Sequence, residues 1–294
     1  MDSLRAIVQP ITHNLPAPIA DIGTTLLGEQ CYKTLILDVS LDSPDCLKLA
    51  ISKGLGIGII ATSTIVKVPQ ILKLLNSKSA TGISFLSYLL ETSAYLISLA
   101  YNFRKGFAFS TYGETALIMV QNVVIAVLVL NYSGQKAAAA VFVAGLAVAG
   151  ASLFGEGIVD MNMLSYLQAG AGVLGIASKV PQILAVYSQG STGQLSAFAV
   201  FNYLIGSLSR IFTTLQEVDD KLILYGFIAG GTLNAILALQ MIYYWNAPAP
   251  ASKPVKGKGK GKGKAEAIPM AAATTSGSSV SASKGKSPTT RRRG

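Results

Sequence analysis

The string Lys67-Val68-Pro69-Gln70-Ile71-Leu72 recurs unchanged as Lys179-Val180-Pro181-Gln182-Ile183-Leu184, 112 residues further along the chain. Six identities of six, each copy lying in an apolar stretch, mark an internal duplication and restrict the chain to architectures built from two like units. The register persists downstream to within one residue, because Thr81-Gly82 leads to Ser84 as Thr192-Gly193 leads to Ser196.

Composition supplies the medium in which the two units fold. Apolar side chains make up 51% of the chain and charged ones 13%, with a mean hydropathy of +0.49. Soluble domains carry about 25% charge, so an ordinary soluble protein is excluded. Only two cysteines are present, which excludes a disulfide scaffold. Crossing about 30 Å of hydrocarbon takes about 20 mostly apolar residues. Seven such windows occur: Leu49 to Leu75, Ile83 to Phe103, Glu114 to Tyr132, Ala137 to Phe154, Asn162 to Tyr187, Ser196 to Leu215 and Leu222 to Trp245. The first three correspond to the last three, with one span between, so both halves insert in the same orientation. The sequence thus predicts an all-α integral membrane protein of seven transmembrane helices, two parallel three-helix repeats joined by a linker helix (3+1+3). Its parts are an N-terminal segment over 1–46, repeats over 47–132 and 161–246, a linker over 133–160 and a tail over 247–294.

Charge orients this bundle. From Ala247 onward there are eleven Lys and Arg against the single acid Glu266, which accounts for the whole net charge of +10. The tail, with Lys-Gly alternation from Lys256 to Lys264, is too poor in apolar groups to order itself, and nucleic-acid binding by the body is not indicated. A basic segment after the last span favours a cytosolic C-terminus. With seven spans, the N-terminus, the Arg104-Lys105 loop and the Glu217-Asp219-Asp220 loop then face the lumen. Tyr243, Tyr244 and Trp245 close the last span as an interfacial aromatic anchor. Cys31 and Cys46 precede the first span. In an oxidising lumen they could pair, closing a loop worth roughly 3 kcal/mol, and two free thiols are the equal alternative.

Proline lacks an N–H and its ring collides with the carbonyl four residues back. Pro69 and Pro181 therefore free the carbonyls of Ile65 and Ala177, and each helix is expected to kink there, with Gln70 and Gln182 close enough to brace the break or to present an amide to a cavity. Kinks at equivalent depth in both halves form a candidate hinge pair of Pro69, Gln70, Pro181 and Gln182. Parallel repeats place a substrate path on the axis between them.

At these residues the chain resembles the PQ-loop family, which includes the sugar-transporting SWEET proteins and cystinosin. Further strings resemble its mannose-P-dolichol utilization defect 1 subfamily: Cys31-Tyr32, Cys46-Leu47-Lys48, Ser52-Lys53-Gly54-Leu55-Gly56, Thr192-Gly193-Gln194-Leu195-Ser196, Gly206-Ser207-Leu208, Arg210-Ile211-Phe212-Thr213, Gln216-Glu217 and Tyr244-Trp245-Asn246. The resemblance covers roughly residues 31–246. It implies a multi-pass endoplasmic-reticulum protein needed for lumenal use of dolichol-phosphate-mannose and dolichol-phosphate-glucose in N-glycan precursor and GPI-anchor synthesis. The implied partners are membrane lipid, the lipid-linked sugar and lumenal glycosyltransferases, with no cofactor. The alternatives are a SWEET-like facilitator of sugars or another small solute, and a non-transporting lipid chaperone or assembly subunit. The SWEET alternative is weakened because the single tryptophan, Trp245, lies at a membrane edge. A cystinosin-like exporter is disfavoured because no Asp lies in the seven spans.

Polar residues within the spans are the substrate-binding candidates. Asn122 and Asn234 stand 112 residues apart and offer a matched amide pair for sugar hydroxyls, as similar asparagines do in the SWEET proteins, or else bond helix to helix. Gln121 is a further candidate. Glu91 and Arg210 are costly at their depth and usually face a cavity or each other. Their repeat positions differ by seven residues, about 10 Å of helical rise, which disfavours a direct pair. Arg210 is instead expected to meet a phosphate, for which its planar fork suits. Lys67 and Lys179 either serve a phosphate or snorkel to the interface. No enzyme chemistry is indicated: the only histidine is His13, no metal-ligand spacing occurs, and Gly170 to Gly175 matches G-x-G-x-x-G inside an apolar helix with no strand before it.

Overall fold

The computed structural model describes residues 2–80, 83–192, 196–245 and 247. The basic tail from residue 248, Thr81-Gly82, Gly193, Gln194, Leu195 and Asn246 lie outside these described residues. The N-terminal segment is helical: α1 is Asp2–Thr12, α2 is Ala17–Tyr32, and one π-helical turn follows over Lys33–Leu37. Gly28 breaks α2 with φ of +75°, a conformation that costs glycine nothing. A disulfide joins Cys31 to Cys46, with Cα atoms 5.1 Å apart, and so fastens the end of α2 to the next helix.

The first repeat begins with α3, Pro44–Ser63. Ser43 caps it by accepting from the Cys46 N–H, and Pro44 fills an early position where no N–H is needed. The chain then breaks over four residues and resumes as α4, Val68–Ser77. The expected kink is thus a complete break. Pro69 sits in the first turn of the new helix, and the Ile65 carbonyl accepts from the Val68 N–H at 3.2 Å. Next come α5, Phe85–Arg104, and α6, Phe109–Tyr132, followed by the linker α7, Lys136–Phe154. The second repeat comprises α8, Met161–Ala177, α9, Val180–Gln189, α10, Ala197–Glu217, and α11, Lys221–Tyr243.

The duplication is reproduced residue by residue. α9, α10 and α11 each start 112 residues after α4, α5 and α6. Ser84 and Ser196 cap α5 and α10 in the same way, each accepting from the N–H three residues on. Lys78 and Gly190 end α4 and α9 in the same left-handed conformation, with φ of 48° and 60°. Packing repeats the pattern: α3 lies against α10, and α8 lies against α5, as a two-fold relation between the halves requires.

Six of the seven expected crossings are long and apolar enough to span a membrane by composition alone, with α3 and α4 counting together, and α8 and α9 likewise. The seventh, α5, is the exception. It carries Glu91 and Arg104, and its buried face includes Tyr88, Glu91, Thr92, Tyr95, Tyr101 and Asn102. The face of α5 covered by α6, α7 and α8 answers to protein neighbours, so it tolerates polar side chains that a lipid-facing surface would not. α7 is the reverse case. It buries only Phe142 and Leu153, packs on α5 and α6, and leaves the rest of its surface apolar.

Candidate functional site between the two halves

Each half meets the axis with a broken helix, and the break is where polar groups collect. In the first half Gln121 of α6 bridges it: Oε1 accepts from the Lys67 N–H, and Nε2 donates to the Ser63 carbonyl, both at 2.8 Å. The bracing expected of Gln70 therefore falls to Gln121, because a side chain from the neighbouring helix can reach both ends of the gap. Gln70 is half-buried, and Pro69, Pro181 and Gln182 are exposed. In the second half the position equivalent to Gln121 is Leu233, so no such bridge forms.

Two lysines cap the resumed helices, and their surroundings differ. Lys67 is buried and pairs with Glu91, its Nζ 3.2 Å from Oε1. Tyr95 donates to the same carboxylate at 3.1 Å. Lys179 has no carboxylate opposite, because the residue 112 places after Glu91 is Tyr203. Its Nζ instead donates to Asn234 Oδ1 at 2.8 Å and lies 5.9 Å from the centre of the Tyr203 ring. Asn234 completes its bonding by donating to the Tyr203 carbonyl at 3.1 Å. Asn122, its repeat mate, is fully buried, and neither amide atom finds a partner among the described residues. The asparagines thus occupy equivalent positions but do different things.

Arg210 is 2% exposed and forms an ion pair with Glu114 of α6, with its Nη1 3.4 Å from the Ser110 carbonyl. Its counter-ion is a carboxylate from the other half, and Glu91, disfavoured as its partner on spacing, lies with Lys67 instead. Sequence reasoning overlooked Glu114 because it took that residue as the first of its span. The helix begins five residues earlier, at Phe109, which sinks Glu114 about 8 Å below the helix end. Arg210 lies seven residues, about 10 Å, from the end of α10. Counting depth from the equivalent loops at the start of α6 and the end of α10 would have matched the pair. Glu217 was also missed, having been read as part of an exposed acidic loop. It is a buried junction that accepts from Lys53, Ser52 and Ser110.

The bonds that join the halves gather at one end of the bundle. Besides Glu217 and the Arg210–Glu114 pair, Tyr101 donates to Asp220 at 2.7 Å, and Lys105 lies 3.7 Å from the same carboxylate. Arg104 pins the connection between α7 and α8 by donating to the Val159 carbonyl at 2.6 Å.

Beneath this tied end lies a cavity of about 260 Å³ between α5, α6, α8, α10 and α11. Polar groups line it from both halves, among them Asn102, Thr115, Glu114, Gln168 and Lys179. Gln168 Oε1 has no hydrogen-bond partner among the described residues, which leaves an acceptor for a hydroxyl. A second, larger depression of about 460 Å³ lies between α5, α7 and α8, lined by apolar side chains such as Leu96, Phe142, Leu146 and Leu167. The two are close neighbours. Ile97 and Leu167 face the apolar groove, while the next residues, Ser98 and Gln168, face the polar cavity.

A duplicated broken-helix bundle with a polar chamber lined from both halves defines a class of membrane proteins. The PQ loop repeat matches residues 51–111 and 163–223, the stretches that run from within α3 into α6 and from within α8 into α11. The chain thus carries two matches to the PQ loop repeat, set in a membrane bundle of the 3+1+3 arrangement. Over 181 residues it is 28% identical to Solute carrier family 66 member 3 of Homo sapiens, a match covering 60% of this chain and 86% of that protein. No solved structure matches it.

Proposed function

We propose that this chain binds a dolichol-phosphate-linked mannose or glucose and moves it across the endoplasmic-reticulum membrane, or presents it there, for lumenal glycosylation. The observation that carries the reading is the pairing of a polar cavity with an apolar groove on the two faces of the α5–α8 contact. A lipid-linked sugar has one part suited to each surface, whereas a free sugar has use only for the first. Gln168 and Asn102 supply amides for hydroxyls, and the groove supplies an apolar bed for an isoprenoid chain. The Cys31–Cys46 disulfide supports an oxidising compartment at the end where α3 begins, since disulfides persist in the lumen and not in the cytosol. That orientation leaves the basic tail cytosolic, in agreement with its charge.

A second reading, a facilitator of a free small solute, is favoured by the relative whose name is that of a solute carrier. Cells lacking the chain separate the two. On the first reading they accumulate lipid-linked oligosaccharide truncated at the lumenal mannose steps, and re-expression restores the full glycan. Full-length lipid-linked oligosaccharide in such cells would refute it.

A further inference from the structure

At the two helix breaks the repeat is symmetric in backbone but not in charge. Lys67 and Lys179 occupy equivalent sites at the two breaks, yet Lys67 is neutralised by Glu91 and Lys179 faces Tyr203. Of the charged side chains lining the cavity, Glu114 is held by Arg210, and Lys179 is bonded, among the described residues, only to the neutral amide of Asn234. A cation inside a membrane protein is costly without an opposite charge. The cavity therefore presents one uncompensated positive charge next to sugar-compatible amides and hydroxyls.

We infer that Lys179, held in place by Asn234, is the subsite for a singly charged phosphodiester. This rests on the lipid-linked sugar reading and narrows it. A glycosyl phosphodiester carries one negative charge and matches the cavity. A neutral glycoside leaves Lys179 unpaired, and a diphosphate brings negative charge that nothing in the cavity offsets. Lys67 is not a second such subsite, because it pairs with Glu91 and does not line the cavity. Tyr203 is thus a specificity-determining residue: its lack of charge keeps Lys179 available.

The test measures binding to the purified full chain in micelles, using four probes: citronellyl phosphomannose, methyl phosphomannose, octyl mannoside and citronellyl diphosphate. Citronellyl phosphomannose should bind wild type at least tenfold more tightly than octyl mannoside or citronellyl diphosphate. Lys179→Gln should abolish that preference, and Lys179→Arg should keep most of it. Tyr203→Glu, which installs in the second half the carboxylate that the first half has at Glu91, should abolish it while leaving the neutral glycoside bound as before. Circular dichroism and thermal midpoints identify variants that fail to fold, and the comparison of probes on one folded variant does not depend on the others. Equal binding of charged and neutral probes by wild type, or an undiminished preference in Lys179→Gln, would overturn the phosphate subsite while leaving the lipid-linked sugar reading intact. Equal affinity for methyl and citronellyl phosphomannose would have the opposite effect, supporting the subsite and removing the lipid from the reading.

Discussion

Replacing Arg210 separates a structural ion pair from a ligand contact. Its side chain is 2% exposed and that of Glu114 is 6% exposed, so Arg210→Met strands a carboxylate between α6 and α10 with no water to solvate it. Breaking a buried pair from one side costs about 3–5 kcal/mol, whereas exchanging both members for apolar residues of similar size is often neutral. Arg210→Met and Glu114→Leu should each destabilise by roughly 3 kcal/mol or more, and the double variant by about 1 kcal/mol or less. Unfolding in mixed micelles with increasing dodecyl sulfate, followed by far-ultraviolet circular dichroism, gives the four corners of the cycle. If Arg210→Met matched wild type, or if the two costs simply added, the pair would not be holding the halves together. Arg210 would then return to the phosphate role that its position in the sequence suggests.

Three other substitutions test local elements. Lys78→Gly should stabilise by about 1 kcal/mol, since Lys78 holds the left-handed conformation that Gly190 holds in the other repeat, and a lower unfolding midpoint would contradict this. Gln121→Leu, which reproduces the second repeat at Leu233, leaves the Lys67 N–H and Ser63 carbonyl without their bridge; it should cost about 1–3 kcal/mol and raise hydrogen exchange at the break, and unchanged exchange there would remove Gln121 from its bracing role. Cys46→Ser should lower stability by about 3 kcal/mol relative to the oxidised protein, for a loop of 15 residues, and should make it insensitive to reductant. A wild type equally stable with and without reductant would contradict that.

The fold was legible because its determinants are local and repeated. Hydropathy marks crossings, and the unchanged hexapeptide fixes how the halves correspond, so the 3+1+3 plan follows from the chain alone. The break at each proline was legible in position but not in kind. Whether a proline bends a helix or starts a new one depends on the neighbour that satisfies the freed groups, and that neighbour, Gln121, lies 52 residues from Pro69. Of the polar residues singled out in the sequence Lys179 lines the cavity, and how the others pair was not legible. Glu91 and Arg210 both stood out as costly, but their counter-ions come from other helices: Lys67 across the first half and Glu114 across the axis. Pairing depends on depth as well as sequence position, and an error of five residues in a helix start concealed Glu114. The asymmetry between Lys67 and Lys179 was present in the sequence all along, at positions 91 and 203. It acquires meaning only once the lysines are seen to point at those positions.

The central claim is that the polar cavity between the halves handles a lipid-linked sugar phosphate. Its most direct test reconstitutes the purified full chain in liposomes whose outer leaflet carries citronellyl phosphomannose labelled in the mannose, and follows the label's movement to the inner leaflet. The account predicts exchange well above that of protein-free liposomes, reduced to background by Lys179→Gln and largely retained by Lys179→Arg. Exchange at the protein-free rate, with the chain shown to be folded and inserted and the probe shown not to bind it, would contradict the account.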